Sequence, residues 1–157
     1  MEILGFCDSD WGGSLDRKSV SGYCFRLHKD GPLISWKSCK QRVIALSSCE
    51  AEYVVLTSAF KEARFLRQIF ADINGSERQA VKLFADNQGA IALAKNPVHH
   101  QRSKHIDIRY HFIRFDVEEG IVILEYVPTD KNFADLFSKP LSNIKFTDFA
   151  SIRGPRV

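Results

Sequence analysis

Asp8, Glu52, Asp86 and Asp135 stand apart from the other carboxylates of this sequence because each falls near the end of a candidate element. Asp8 closes a short apolar run, Glu2 to Asp8 (EILGFCD), that reads as a strand stopped by DSDWGG. Asp86 follows a second run, Val81 to Ala85 (VKLFA), just ahead of a helical stretch. Asp135 lies among Phe133, Ala134, Leu136 and Phe137 in a last short helix. Each has an ordinary explanation. Asp86 can be the N-cap of its helix, Asp135 the solvated side of its own, and Glu52 a helix-end carboxylate reaching out to a lysine.

Periodicity sets Glu52 apart. Helical steps from Glu52 reach Leu56, Ala59, Ala63, Leu66 and Phe70, an apolar stripe. Steps from Glu50 reach Val54, Thr57, Lys61, Arg64 and Gln68, mostly polar. Glu52 therefore heads the core-facing stripe, where an ionised carboxylate costs several kcal/mol unless protonated, paired or bound to a metal. Carboxyl ends of adjacent strands in an open α/β sheet form ligand clefts, and helices on that sheet can deliver Glu52 and Asp135 to the same end. Like charges ~4 Å apart repel by about 4 kcal/mol at an effective dielectric of 20. Four converging carboxylates would rival the ~5–15 kcal/mol stability of a whole domain. Convergence thus demands a cation. Hard oxygen ligands select Mg²⁺, with Mn²⁺ as the substitute, over zinc. Two such ions ~3.5–4 Å apart suit in-line phosphoryl transfer.

The elements that must position these groups follow from pattern. Val20 to His28 (VSGYCFRLH) and Leu33 to Lys37 (LISWK) flank a Lys29-Asp30-Gly31-Pro32 turn, predicting an antiparallel hairpin. Ser47-Ser48-Cys49-Glu50 fits a capping box opening a long helix that runs to about Ile73 and ends at Asn74-Gly75. After the Val81 strand come a short helix, Asp86 to Lys95, and a longer one, Arg102 to Glu119, with Ile106, Tyr110, Ile113 and Val117 as its buried stripe. Ile121 to Val127 is a fifth strand, and Asn132 to about Ser138 a last helix. The order βββαβααβα implies an α/β fold: a five-stranded mixed sheet, three antiparallel strands then parallel ones, with helices on both faces.

Composition bounds the rest. The chain has 157 residues, 45% hydrophobic and 26% charged, enough for one domain with a real core and too apolar for disorder. No apolar run approaches the ~20 residues of a membrane span, and the start (MEILGFCDSDWGG) lacks the basic and apolar regions of a signal peptide. Twenty-two Lys and Arg against 19 Asp and Glu leave +3, compatible with a polyanionic partner. Cys7, Cys24, Cys39 and Cys49 contain no CxxC pair, which argues against structural zinc and for free thiols.

Five stretches carry a family resemblance: CDSDWGGSLDRKSVSGY (7–23), ISWKSCKQRVIALSSCEAEY (34–53), ADNQGAIALAKNP (85–97), RSKHIDIRYHFIR (102–114) and YVPTDKNFADLFSKPL (126–141). In this order they resemble the ribonuclease H domain of copia-type long-terminal-repeat retrotransposons, the C-terminal part of the Pol polyprotein after reverse transcriptase. The resemblance implies the ribonuclease H-like fold over residues 1–141; residues 142–157 are expected to be a C-terminal tail with room for one short helix. It implies a metal-dependent endonuclease that cuts the RNA strand of RNA–DNA hybrids, leaving 5′-phosphate and 3′-hydroxyl ends. Asp8, Glu52, Asp86 and Asp135 would be its catalytic, metal-binding tetrad, holding two Mg²⁺ ions. Its partners would be the hybrid and the reverse transcriptase domain of the same polyprotein. The isolated domain would be a monomer, working in a cytoplasmic virus-like particle or in the nucleus. The alternative is a catalytically weak or inactive hybrid-binding module.

Substrate contacts are expected from two groups. Lys37, Lys40 and Arg42 precede the long helix and suit phosphates, whose binding weakens steeply with salt. Ser9, Ser48, Asn87 and Gln88 flank the carboxylates and suit 2′-hydroxyls. A second basic group, Arg102, Lys104, Arg109 and Arg114, is equally well read as a solvated helix face; Trp11 is suited to stack on a sugar, but a core role is the favoured reading. Many cellular ribonucleases H carry a histidine in the loop before the last helix. Here that loop is VPTDKN, which implies a slower site rather than a dead one. His99, His100, His105 and His111 crowd one segment, and Asp107 with His111 is read as a surface ion pair, with no metal role for any histidine.

Overall fold

The computed structural model describes residues 2–13, 15–75, 77–96 and 104–151. Five strands form one sheet: β1 (Ile3–Asp10), β2 (Val20–Leu27), β3 (Leu33–Lys40), β4 (Val81–Ala85) and β5 (Val122–Tyr126). Their order is β3-β2-β1-β4-β5, with β1–β2 and β2–β3 antiparallel and β1–β4 and β4–β5 parallel. The expected mixed sheet is therefore the one found.

Helices cover both faces. On one side lie α1 (Ser48–Asn74), α2 (Gln88–Lys95) and α3 (Lys104–Glu118). Their buried residues, among them Leu56, Phe60, Ile91 and Ile113, share a core with Cys7, Phe25, Leu83 and Leu124 of the strands. On the other side lies α4 (Asp135–Ser138), reached through a 3₁₀ turn at Thr129–Lys131. There Ala134, with Phe133 and Phe137, packs against Leu4, Phe6 and Cys24. The helix α5 (Asn143–Ser151) adds Phe149, whose ring lies 4.8 Å from that of Phe133. These nine residues of helix lie in the segment expected to be a tail with room for one short helix.

Several boundaries shift for physical reasons. β1 continues two residues past Asp8, because its pairing with β2 runs to Asp10↔Val20. β3 continues to Lys40 along β2, as an edge strand can with polar residues facing water. The α1 cap is as expected, the Ser47 hydroxyl accepting from the Glu50 N–H, while the Glu50 carboxylate reaches back to the Leu46 N–H. Gly75 ends the helix at φ 58°, a left-handed conformation that glycine adopts without strain. Asn87, rather than Asp86, caps α2, its side-chain oxygen accepting from the Ala90 N–H at 2.9 Å. That choice leaves the Asp86 carboxylate uncommitted to a cap.

Gly22 on β2 sits directly across from Asp8. A Cβ there would come within 2.7 Å of the Phe137 carbonyl carbon and 2.8 Å of the Ser138 nitrogen. Only glycine lets α4 lie this close to the sheet, which is what brings Ser138 and Asp135 beside β1. Asn132, fully buried, secures the same junction: its amide donates to the Cys7 carbonyl and its oxygen accepts from the Ala134 N–H.

Candidate metal centre and active site

Three of the expected carboxylates meet at the carboxyl end of the β1–β4 pair. One oxygen from each of Asp8, Glu52 and Asp86 lies within 4.8 Å of the other two. Asp8 comes from β1 two residues past the last one paired with β4, Asp86 from the residue after β4, and Glu52 from one turn into α1. The α1 stripe delivers Glu52 as its periodicity requires: Leu56, Ala59, Ala63 and Leu66 are buried behind it. Asp8 and Glu52 are themselves 2% and 4% exposed.

Such crowding must be compensated, and the protein does so incompletely. Burial, with the charges of Asp135 and Asp86, pushes the Asp8 carboxyl up to about 6 against the opposing pull of the Ser138 hydroxyl and the Lys139 ammonium. Glu52 is pushed up to about 8, first by burial and then by the Asp8 charge. The Ser9 N–H and hydroxyl both donate to Glu52 Oε1, at 2.9 and 2.7 Å. Glu52 Oε2 is buried with no hydrogen-bond partner. A buried acceptor without a donor, among three hard carboxylates, is the arrangement that a divalent cation completes. The residues present therefore fit a metal ion. Cys7, beside them, is a neutral thiol, its pKa raised by burial and by Glu52 and Asp8, so it offers no nucleophile.

Asp135 lies next to this trio but outside its shared reach. Fully buried, it faces two ammonium groups: Lys139 Nζ stands 3.0 Å from its Oδ1, and Lys145 pairs with its Oδ2. Lys139 Nζ is also 3.5 Å from Asp8 Oδ2, so it bridges the two aspartates. Burial works against its charge, but Asp8 and Asp135 more than offset this and its pKa is raised. The structure thus assembles three of the four expected carboxylates around one point and joins the fourth to them through a lysine.

No protein-family model matches the chain. It is 38% identical over 145 residues to a retrovirus-related Pol polyprotein from transposon TNT 1-94 of Nicotiana tabacum, covering 92% of this chain and 11% of that protein. It is 36% identical over 152 residues to the corresponding polyprotein of transposon RE1 from Arabidopsis thaliana, covering 96% of this chain and 10% of that one. The chain thus spans about a tenth of the length of these curated relatives. Among solved structures, LC11-RNase H1, crystallised in complex with an RNA/DNA hybrid, superposes with a TM-score of 0.64 at 16% identity, over 87% of this chain and 94% of that one. The chain is a homologue of copia-type retrotransposon Pol polyproteins with the ribonuclease H fold.

In this ribonuclease H-fold domain the expected substrate contacts divide. Lys37 and Lys40 flank Ser38, which is level with Gly22 and Asp8 across the sheet. Two strand spacings put that edge about 10 Å from the Asp8 backbone. Lys37 and Arg42 are exposed, whereas Lys40 pairs with Asp16 at 3.1 Å. Ser48, exposed, precedes Glu52 by one helical turn, and Gln88 is exposed at the start of α2. Ser9 and Asn87 have other duties: Ser9 orients Glu52, and the Asn87 oxygen caps α2.

Trp11 is a correction. It is 52% exposed rather than in the core, its indole N–H donating to the Ala45 carbonyl, because β1 ends before the chain can turn it inward. Residues 97–103 and the side chains of Lys104, His105, Ile106 and Asp107 lie outside the described residues, so the Asp107–His111 pair and half of the second basic group do too. Arg109 and Arg114 are half-buried rather than fully solvated. Sequence reasoning missed Ser138, Lys139 and Lys145, since nothing in their spacing signals that α4 and α5 bring them to Asp8 and Asp135. It also missed Gln41, whose buried amide ties Ser21 of β2 to the Ala51 carbonyl of α1.

Proposed function

We propose that this domain is a metal-dependent endonuclease that hydrolyses the RNA strand of RNA–DNA hybrids, leaving 5′-phosphate and 3′-hydroxyl ends. The observation that carries the proposal is the meeting of Asp8, Glu52 and Asp86 within 4.8 Å around the partnerless Glu52 Oε2. Divalent ions bound there, Mg²⁺ or Mn²⁺, would supply an activated water and neutralise the leaving oxygen. The side chains of this chain do the rest. Asp8, Glu52 and Asp86 hold the cation, with Asp135 as the fourth ligand for a second ion. Ser9 fixes the Glu52 rotamer with two hydrogen bonds, so its free oxygen keeps one direction. Lys139 carries positive charge beside Asp8, where the charge of a scissile phosphate would develop. Exposed Lys37, on the edge strand about 10 Å from the Asp8 backbone, and exposed Arg42, just beyond that strand, offer contacts to backbone phosphates.

The Pol relatives support a polyprotein context; to it we add a neighbouring reverse transcriptase whose hybrid is the substrate, and a cytoplasmic virus-like particle or the nucleus as the place of action. The domain would act there as a monomeric unit of residues 1–141 followed by a tail. Among the described residues no helix is long and apolar enough to cross a membrane.

The test is cleavage of an end-labelled hybrid. Cutting of the RNA strand alone is expected in Mg²⁺ or Mn²⁺, abolished by EDTA and restored by added metal. Binding of the hybrid without cleavage in either ion would instead identify a binding module.

A further inference from the structure

We propose that Lys145 is the built-in counter-cation of Asp135, so that docking of α5 and binding of a second divalent ion exclude one another. The inference rests on the metal-centre reading above and concerns how that centre fills. The two halves of the site are compensated very differently. Asp8, Glu52 and Asp86 share one ammonium, Lys139, at 3.5 Å from Asp8, and leave Glu52 Oε2 without a partner. Asp135 faces an ammonium at each oxygen: Lys139 stands 3.0 Å from Oδ1 as an ion pair without a hydrogen bond, and Lys145 donates to Oδ2. The first divalent ion therefore goes to the trio, where negative charge is unmatched. An ion that needs Asp135 must displace a lysine that already neutralises it.

Lys145 is the one that can leave. Lys139 is held by two carboxylates, Asp135 one helical turn before it and Asp8 on the sheet, so its departure would uncover both. Lys145 arrives on a separate helix, anchored by its own bond to the Thr129 carbonyl (3.1 Å) and by Phe149 against Phe133. Among the described side chains of α5 the other large apolar ones face solvent: Ile144 and Phe146 are 77% and 56% exposed. A helix with so few buried contacts opens at low cost. The tail would thus act as a positioning element that sets the affinity of the second ion without touching the first.

The experiment is a Mn²⁺ titration of the full chain by calorimetry, comparing wild type with Lys145→Met and Lys145→Arg. Wild type is expected to bind one ion, with a second at least about tenfold weaker because it must displace a charge in contact with its ligand. Lys145→Met should tighten the second event about tenfold and leave the first unchanged; Lys145→Arg should restore wild-type behaviour. Tryptic cleavage after Lys145 in wild type should accelerate only as the second equivalent binds. A second ion unchanged or weakened in Lys145→Met, with the first intact, would overturn the inference and leave Lys145 a structural role. Should Lys145→Met fail to fold, Phe149→Ala undocks the same helix, and an unchanged second event there would overturn it equally. Failure of wild type to bind any ion is a different result, since it would remove the metal centre itself.

Discussion

Replacing Asp8 with asparagine is expected to lower hybrid cleavage by at least about a thousandfold, the equivalent of some 4 kcal/mol of lost transition-state stabilisation. The same substitution should raise the melting temperature of the metal-free protein. The side chain is 2% exposed, accepts a hydrogen bond from Ser138, and sits among Glu52, Asp86 and Asp135. An amide of the same shape can still accept from Ser138, removes one charge from that group, and lowers the desolvation cost. With the Asp8 carboxyl held up to about 6, ionisation at neutral pH costs on the order of 3 kcal/mol relative to an exposed aspartate. For a domain of this size that corresponds to a gain of up to roughly 6–12 °C. Opposite signs on activity and stability mark a group retained for chemistry. Cleavage unaffected by Asp8→Asn would remove Asp8 from the site, and a loss of stability would mean that Lys139 already neutralises it fully.

The second large effect is a dependence of stability on pH that metal should reverse. In the folded chain Asp8 is pushed up to about 6 and Glu52 to about 8, both first by burial; the charges of Asp135 and Asp86 then raise Asp8, and the charge of Asp8 raises Glu52. Between pH ~4 and ~8 the folded state therefore holds more protons than the unfolded one, and stability falls as pH rises through that window. The burial-raised Asp116 carboxyl adds in the same direction. Without divalent ions the melting temperature is expected to drop by about 5–10 °C from pH 5.5 to pH 8.5. Mg²⁺ binds the deprotonated carboxylates, so its effect should grow with pH. At a hundred times its dissociation constant it should add about 2.7 kcal/mol, and the downward slope should flatten or invert. Thermal melts at several pH values, with Mg²⁺ or with EDTA, measure both. A metal-free melting temperature that climbs from pH 5.5 to 8.5, with no response to Mg²⁺, would show that these groups carry no shared burden of charge.

Much of this was legible in the sequence because it rests on local, periodic signals. The α1 stripe needs only helical spacing to show that Glu52 faces inward, and burial of Leu56, Ala59, Ala63 and Leu66 bears it out. Asp86 was ambiguous for a physical reason: Asp and Asn are both good N-caps, and adjacent in the chain they compete. Asn87 takes the cap and frees Asp86, a choice that depends on where α2 packs. Asp135 is expected with the other three carboxylates, whereas the structure sets it beside them on two lysines, surroundings that were not legible. The two lysines on it come from one turn and ten residues downstream, and only the close approach of α4 at Gly22 and the docking of Phe149 bring them in. Trp11 misled because large aromatics are usually core residues, and its exposure follows from its place just beyond the end of β1.

The most direct measurement is anomalous diffraction from a crystal soaked in Mn²⁺. A peak is expected where oxygens of Asp8, Glu52 and Asp86 all lie about 2.1–2.3 Å away, with Glu52 Oε2 among them. A peak elsewhere on the surface, or none at these three residues at saturating Mn²⁺, would contradict the claim that they form one cation site.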